Sequence, residues 1–514
     1  MLGALVLVLI LTAAVRRDFL GDGVRHLPAA LSSGPHLGEA RWLLFPTFLF
    51  FLVRPLASLG GVQSTEAAIQ VFLWASVASG AVFLFGLRSW LRAECDDRAR
   101  RAAALLLAGS CSPFLTLFSD IAEPQIAAAI AVTGLAYARI RRDDPLRAQA
   151  GALVAIGAIA SAALIYQGMI LALGMLPLVT SRDTLTRRRV RGAVAAAVLL
   201  VPAAILTAQI AAGIPPALAV ATTVGGERNP LARSFMASQT PAKYVAALVA
   251  GPPQGIVTIR NFGGLSALLT ALSDSDAQAV ARGAANVSRL MLGGVIVWTL
   301  FAAGARNREW RVLAAAGLLL VLPVLRNQQY AYPKFFILWP VPIALLALRH
   351  RARIVGVAGL IVLLTNVWLL AEDVRRGRLM YGSVHRAYQA ATPTTCWLTS
   401  GWAPPLWYLW PGTTTNILGI LATGTDPAVQ SRLLTVSLRR CFCESGAVWT
   451  DASETAASNV AALSRHFDYS AVDLTTILPP VASPEPVAAA PGVHVYPQPA
   501  RERICRAVLV AALR

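Results

Sequence analysis

Long apolar stretches without charge recur from the first residue to about Leu370, and each approaches the length that a helix needs to cross a membrane. Backbone groups inside a bilayer find no water, so each stretch must satisfy its own hydrogen bonds, as an α-helix does. From residue 373 onward, charges, prolines and glycines interrupt short apolar strips. The sequence therefore predicts a polytopic α-helical membrane domain over residues 1–372 and a small soluble α/β domain over residues 373–514.

The apolar stretches predict about eleven transmembrane helices. Composition agrees, because 56% of the 514 residues are hydrophobic and only 14% are charged. Soluble domains usually carry about 25% charged residues, so an ordinary soluble enzyme is excluded. The predicted helices lie near residues 2–15, 66–87, 103–118, 125–139, 149–165, 168–180, 192–212, 290–305, 312–325, 335–348 and 353–371.

The net charge of +19 comes almost entirely from arginine, which gathers in short clusters between apolar stretches. Such clusters hold a loop on the cytoplasmic side. A cytoplasmic N-terminus places all of them inside, which favours contacts with membrane lipids over a nucleic-acid partner. The C-terminal domain and four other segments (16–65, 119–124, 213–289 and 326–334) are then outside. The clusters are 88–101, 139–147, 182–191, 306–311 and 349–353.

Two of the predicted outer segments are long. Residues 16–65 contain an apolar, aromatic stretch at 41–59 that Arg54 and Pro55 interrupt, so we expect an interfacial helix there instead of a span. Segment 213–289 is rich in glycine and proline. It suits either a mobile lid over a lipid site or a surface loop with amphipathic helices near 242–250 and 265–272.

Four of the six cysteines lie in the predicted C-terminal domain, at Cys396, Cys441, Cys443 and Cys505. An even number of cysteines in a domain outside the cytoplasm favours two disulfides, for which three pairings are possible. The alternative is a metal pair at Cys441 and Cys443, but one intervening residue is not the usual zinc spacing. The sequence neither requires nor excludes a divalent metal; the Asp-Ser-Asp at 274–276 resembles a metal-binding pattern but is more typical of a helix start.

Polar residues that suit chemistry on an anionic lipid collect at the predicted outer ends of the helices. Basic groups there can hold a phosphate leaving group while a carboxylate takes a proton from the attacking hydroxyl. The alternative is solvated loop ends and helix caps, which fits Asp18 better than Asp22 or Glu123. The candidates are Asp18, Asp22, His26, Glu123, Tyr166, Gln167, Arg326, Tyr330 and Lys334.

The first outer segment resembles that of GT-C-fold glycosyltransferases, in which an acidic residue precedes His or Tyr and then Ala, here Asp22, His26 and Ala30. The apolar stretch 41–56 is similar to the juxtamembrane helix of that loop. Residues 118–123, residues 139–142 and the segment from Tyr330 through Lys334 to Trp339 also fit, as does a plan of about eleven spans followed by an outer domain.

This resemblance implies transfer of a sugar from a polyprenyl-phosphate or polyprenyl-diphosphate carrier to a glycan, lipid or protein acceptor outside the cytoplasm. Asp22 would be the general base and Glu123 a second acidic group in the cavity. Arg326 and Lys334 would contact the lipid phosphate. Many relatives have paired acids in this loop, whereas Gly23 follows Asp22 here, so the choice of base between Asp18 and Asp22 stays open.

Two other functions compete with glycosyl transfer. An O-antigen ligase or polymerase would handle similar lipids on the same face, but segment 213–289 lacks the histidine expected of one. A lipid-linked glycan transporter or flippase would place charges or broken helices at the membrane midplane, and the charges here lie at helix ends.

Arginine-rich, lysine-poor usage indicates a bacterium with GC-rich DNA, so the expected location is the inner membrane.

Overall fold

The computed structural model describes residues 1–15, 65–118, 124–140, 145–166, 169–173, 184–211, 213, 216–223, 251–257, 277–305, 336–399, 412–417, 427–450, 484–487 and 493–512. The chain divides into two compact units. Described residues up to Asp373 belong to the first unit, and those from Val374 onward belong to the second. The predicted interfacial helix at 41–59, the helix at 312–325 and the two amphipathic helices at 242–250 and 265–272 lie outside the described residues.

The described part of the first unit is helical throughout. Its helices are α1 (Leu2–Val15), α2 (Thr65–Glu94), α3 (Arg98–Ser110), α4 (Ser112–Phe118), α5 (Pro124–Tyr137), α6 (Pro145–Ile165), α7 (Ile170–Leu173), α8 (Thr184–Ala211), α9 (Pro216–Thr223), α10 (Ala277–Ala305), α11 (Pro340–Ala347) and α12 (Ala352–Ala390). Helix α12 extends beyond the first unit into residues of the second.

Four helices in the described ranges are long and apolar enough to cross a membrane. These spans are Leu146–Ile165, Arg188–Ala211, Gly283–Ala303 and Ala352–Ala371. Two shorter apolar helices cover Leu2–Ala14 and Ile126–Tyr137. The chain is therefore a mostly helical protein with membrane-spanning helices, and the number of about eleven spans stays a prediction.

Small residues allow the helices of the first unit to approach closely. Helices α2 and α5 pack together, as do α5 and α6, and α6 and α8. At the crossing of α2 and α5, a Cβ atom added to Gly86 would overlap the carbonyl oxygen of Gly134. A Cβ on Gly134 would lie 2.6 Å from the Cα of Phe83. Such contacts matter in lipid, where helices associate through van der Waals packing instead of through the hydrophobic effect.

The predicted helix at 103–118 is interrupted in the structure. Helix α3 ends at Ser110, Cys111 has an extended ψ of 145°, and α4 begins at Ser112. Pro113 explains this break, because proline has no N–H for the carbonyl four residues back and its ring clashes with that carbonyl, whereas it is tolerated in the first turn of a helix. The break leaves backbone N–H and C=O groups without hydrogen bonds inside the helix, so these groups need partners from other segments.

Other helix bounds differ from the prediction as well. Helix α10 begins at Ala277, so the C-terminal part of the predicted segment 213–289 is helical. Helix α11 starts only at Pro340 because Phe336–Trp339 form a preceding turn. The predicted helix at 168–180 is described only as α7, Ile170–Leu173. Helix α12 continues to Ala390, well beyond the predicted end near residue 371.

The second unit contains a five-stranded mixed sheet with two helices. Its elements are β1 (Thr395–Thr399), β2 (Thr414–Asn416), α13 (Pro427–Cys443), β3 (Ala447–Thr450), β4 (Glu485–Pro486), β5 (His494–Val495) and α14 (Gln498–Ala512). The strand order is β2-β1-β3-β5-β4. Strand β1 is parallel to β2 and β3, while β5 is antiparallel to both β3 and β4.

One buried cluster joins the sheet to both helices of the second unit. It contains Cys396, Leu398, Ile417, Leu434, Leu438, Cys441, Phe442, Val448, Tyr496, Ile504 and Val508. Two disulfides reinforce it. Cys396 on β1 pairs with Cys441 on α13, and Cys443 at the end of α13 pairs with Cys505 on α14. The first bond therefore ties α13 to the sheet, and the second ties α14 to α13.

Candidate functional site

The structure describes one of the nine residues that the sequence analysis proposed for lipid chemistry, Tyr166. The other eight lie outside the described residues, so their mutual geometry is not part of the site described below. They are Asp18, Asp22, His26, Glu123, Gln167, Arg326, Tyr330 and Lys334.

Tyr166 directly follows α6 and is half-buried. Its backbone N–H donates to the carbonyl oxygen of Ala162 at 2.8 Å, which extends the last turn of the helix. Its own carbonyl accepts from the N–H of Met169 at 3.0 Å. The sulfur of Met169 lies 3.7 Å from the hydroxyl of Thr133 on α5. These contacts hold the Tyr166 turn against α5 at the end of a candidate span.

A buried polar junction occurs where α3 and α4 separate. The side-chain amide of Asn366, which is fully buried in α12, donates to the carbonyl oxygen of Ser110 at 2.8 Å and to that of Ile256 at 2.9 Å. The N–H of Ser112 also donates to the Ile256 carbonyl, at 3.0 Å. The broken helix thus obtains partners for its freed backbone groups from α12 and from residues near 256, as membrane burial requires.

The partner segment is described over Gly251–Val257, which is helical and then turns, and every one of these residues is buried. The N–H groups of Ile256 and Val257 both donate to the carbonyl of Pro253 at 3.0 Å. A Cβ added to Gly255 would lie 2.6 Å from the indole ring of Trp339, and one added to Gly293 of α10 would lie 2.5 Å from the Pro253 oxygen. Only glycine fits these close approaches.

This turn lies within the predicted outer segment 213–289, for which a mobile lid and a surface loop were both considered. Complete burial of Gly251–Val257 does not fit an exposed surface loop at these seven positions, and the lid stays a prediction. Glycine and proline are here adaptations to close packing. The sequence signals for the junction were Pro113 inside an apolar stretch, Asn366 inside another, and the run from Gly251 to Gly255, none of which was predicted to be a site residue.

Two buried donors near this turn have no hydrogen-bond partner within the described parts of the chain: the Gln254 amide nitrogen and the Trp339 indole nitrogen. Trp339 also stacks on Phe301, with ring centroids 5.3 Å apart. A buried donor without a partner costs about 1–3 kcal/mol. Each nitrogen can therefore donate to an acceptor oxygen, of which a buried water molecule is the simplest source.

Helix geometry gives the junction an approximate depth. Asn366 follows Arg351 by a helical distance of about 22 Å, and Ser110 follows Arg98 by about 18 Å, at 1.5 Å per residue. Both arginines belong to clusters that the sequence analysis assigned to the cytoplasmic side. If those clusters mark the cytoplasmic edge of a hydrocarbon core of about 30 Å, these distances put the junction about 3–7 Å beyond the midplane.

Across the described residues, no group of three or more His, Cys, Asp or Glu side chains could hold a metal ion. The cysteines that remain free there are Cys95, which is half-buried, and Cys111, which is buried at the helix break. The Cys111 thiol donates to the Leu107 carbonyl at 3.3 Å. The described residues of the junction thus offer neutral hydrogen-bonding groups.

No protein-family model matches the chain, and no curated protein sequence matches it. Two crystal structures of ArnT from Cupriavidus metallidurans show a distant likeness. The one bound to undecaprenyl phosphate has a TM-score of 0.44 and 13% identity, over 87% of this chain and 91% of that chain. The apo structure has a TM-score of 0.35 and 14% identity, over 86% of this chain and 90% of that chain.

Proposed function

We propose that this protein transfers a sugar from a polyprenyl-phosphate or polyprenyl-diphosphate carrier to an acceptor on the extracytoplasmic face of a bacterial inner membrane. The acceptor hydroxyl attacks the anomeric carbon, the bond from that carbon to the phosphate oxygen breaks, and the phosphate leaves with the electron pair. Asp22 takes the proton of the attacking hydroxyl, and Glu123 is a second acidic group in the cavity. Arg326 and Lys334 stabilise the leaving phosphate.

The two disulfides of the second unit are the observation that carries this proposal. Disulfides persist in oxidising compartments and are rare in the cytosol. Cys396 and Cys441 follow the span Ala352–Ala371, whose N-terminal end adjoins the arginines at 349–353. The disulfides after this span and the positively charged loop before it favour the same orientation, with the N-terminal end of the span cytoplasmic and its C-terminal end outside. Counting back through the predicted spans then assigns Asp22, Glu123 and Arg326 to the same outer side.

Tyr166 adds a described residue to the proposed cavity. It ends a candidate span whose other end carries the arginine cluster at 139–147, so the same orientation assigns its half-buried side chain to the outer side. We propose that it lines the sugar site together with Asp18, His26, Gln167 and Tyr330. The resemblance of the first outer segment to GT-C glycosyltransferases supports the choice of reaction.

The test follows radiolabelled sugar as it leaves polyprenyl-phosphate carriers in membranes that contain the protein. Removal of a general base lowers a rate by about 100- to 10,000-fold, so we expect that loss for Asp22→Asn. Asp96→Asn is the matched control, because Asp96 is exposed in the 88–101 arginine cluster, on the predicted cytoplasmic side. If Asp22→Asn keeps full transfer activity and Asp18→Asn loses it, Asp18 is the general base instead of Asp22.

A lipid-linked glycan transporter or flippase is the second candidate, and the broken helix at Cys111 favours it. Transporters build their binding sites from discontinuous helices near the midplane, with unwound backbone beside the substrate. The separation of α3 and α4, closed by Asn366 and the Gly251–Val257 turn, is a feature of that kind. If wild-type protein moves labelled lipid across vesicles but releases no label from it, transport replaces transfer.

A further inference from the structure

The two helices of the second unit each have one face turned into the core and an opposite face left exposed. On α13, the inward positions include Leu434 and Leu438, which belong to the buried cluster. The opposite face carries Leu433 and Val436, which are 45% and 47% exposed. Three exposed arginines flank these apolar side chains on the same helix, Arg432, Arg439 and Arg440.

Helix α14 repeats this arrangement. Ile504 and Val508 point into the same cluster, one turn apart. The opposite face carries Leu509 and Val510, which are 39% and 53% exposed. Arg503 and Arg506 precede them on that face, together with Glu502, which accepts a hydrogen bond from Gln498 at 3.0 Å.

Both exposed faces point away from the sheet on the same side. Cys396 and Leu398 lie on one face of β1, because side chains two residues apart share a face of a strand. Side chains from α13 and α14 cover that single face in one cluster, and the helices pack against each other. Their outward faces therefore form one surface, which we call the arginine face and define by the exposed residues of α13 and α14 named above.

We propose that the arginine face docks the second unit on the surface of an anionic lipid bilayer. Exposed aliphatic side chains flanked by arginine are what an interfacial helix uses: the apolar groups enter the headgroup boundary, and the cations attract acidic headgroups. The arginine face has five arginines. Within the described residues 427–450 and 493–512 the acids are Glu444, which pairs with Arg439 at 3.4 Å, and Glu502, so the five arginines outnumber them.

The position of the unit in the chain favours lipid over a protein partner. The span Ala352–Ala371 and the second unit share helix α12, so the unit is permanently tethered to a bilayer. Tethering gives the nearest surface a high effective concentration, which lets weak interfacial contacts form without a large buried area. This inference holds whether or not the protein transfers sugars.

The test uses the full chain in lipid nanodiscs that contain photoactivatable phosphatidylglycerol as the probe. After illumination, crosslinks are mapped to peptides from residues 427–443 and 498–512. We expect crosslinks on both peptides, and fewer at high ionic strength because salt screens exposed charges. Replacing phosphatidylglycerol with an equally photoactivatable phosphatidylcholine should lower the yield at least about five-fold.

The matched variants change charge without changing the buried face. Arg503→Gln with Arg506→Gln should lower the crosslink yield at least about five-fold, whereas Arg503→Lys with Arg506→Lys should keep it, because lysine retains the charge. Retention of both disulfides on a non-reducing gel checks that each variant is folded. Equal yields for the Gln and Lys variants, equal yields with the two lipids, or the absence of lipid adducts on both peptides would each overturn the proposal.

Discussion

Different interactions stabilise the interior of each of the two units of this protein. In the first unit, helices approach until backbone touches backbone, as at Gly86 and Gly134, and one buried amide, Asn366, bridges three segments. In the second unit, side chains of a small sheet and two helices form one apolar cluster, and two disulfides link these elements covalently. The difference follows from the solvents in which the two units are expected to lie.

Lipid gives packed helices no hydrophobic driving force, so close contact and internal hydrogen bonds must stabilise the first unit. Water drives burial in the second unit, but a small domain buries only part of its surface and gains from covalent constraints. The units should therefore respond to opposite perturbations. Removing a disulfide should destabilise only the second unit, and adding one methyl group at a helix crossing should destabilise only the first.

The largest expected effect is the loss of the bond between Cys396 and Cys441. These residues are separated by 45 positions, and a loop of that length corresponds to about 4 kcal/mol of stabilisation in the chain-entropy account. For Cys396→Ser with Cys441→Ser, we expect peptides of the second unit to become sensitive to protease at lower denaturant concentrations. Peptides of the first unit should keep their wild-type resistance.

The control for this experiment is Cys95→Ser, which removes a half-buried free thiol from the first unit. It should leave the resistance of both units unchanged. If the double serine variant also loosens helices of the first unit, the two units do not unfold independently and the comparison between them is wrong.

The next effect is the reverse case, an added methyl group in Gly86→Ala. The new Cβ would overlap the carbonyl of Gly134. The helix backbone fixes the position of the Cβ, and the carbonyl is itself part of a helix backbone, so neither atom can rotate away. Overpacking of this kind costs about 3 kcal/mol. We expect a lower melting temperature in detergent and a lower yield of folded protein, with the disulfides of the second unit still formed.

Gly157→Ala and Gly192→Ala are matched controls, since a Cβ at either position meets no atom within 4 Å. Alanine favours a helix over glycine by about 1 kcal/mol, so these variants should be as stable as wild type or slightly more stable. If Gly86→Ala has the same melting temperature as the controls, α2 and α5 can move apart without loss of stability and the prediction is wrong.

A smaller effect is expected at the polar junction. Asn366→Leu keeps the approximate size of the side chain but leaves the Ser110 carbonyl without the amide donor, while the Ile256 carbonyl retains Ser112. Hydrogen bonds between membrane helices are worth about 0.6–1.7 kcal/mol each, so we expect a loss of about 2 kcal/mol in detergent unfolding. The neighbouring Thr365→Val changes an exposed hydroxyl that bonds only its own helix, and it should be neutral. Equal melting of the two variants would contradict a structural role for the junction.

The sequence predicted local elements better than long-range ones. Predicted helix 2–15 is found at Leu2–Val15, because the uncharged apolar run ends where Arg16 and Arg17 begin. The break at Cys111 had a local signal in Pro113, but composition alone favoured one continuous span there.

The buried turn at Gly251–Val257 could not be predicted from local pattern. Its burial depends on Asn366, which is 110 positions from Ile256, and on Trp339 beside Gly255. Disulfide pairing is equally long-range, since four cysteines allow three pairings and only the packing of α13 and α14 selects one. For the candidate site, Tyr166 is found at a helix end, and the roles of Asp22, Glu123, Arg326 and their neighbours remain predictions.

The smallest effect should be a pH dependence that belongs to the first unit. His350 lies between α11 and α12, and burial lowers its pKa below the usual value near 6.5. The folded state therefore favours neutral His350, and this stabilisation is complete above about pH 6.5 and is lost as the pH falls below that value. We expect wild-type protein to melt earlier as the pH falls from about 7 to about 5.5, and His350→Gln to lose part of that dependence. The effect should be small because His350 is only half-buried. If His350→Gln instead steepens the dependence, the sign is wrong, and protonated His350 would have to be stabilised by the fold.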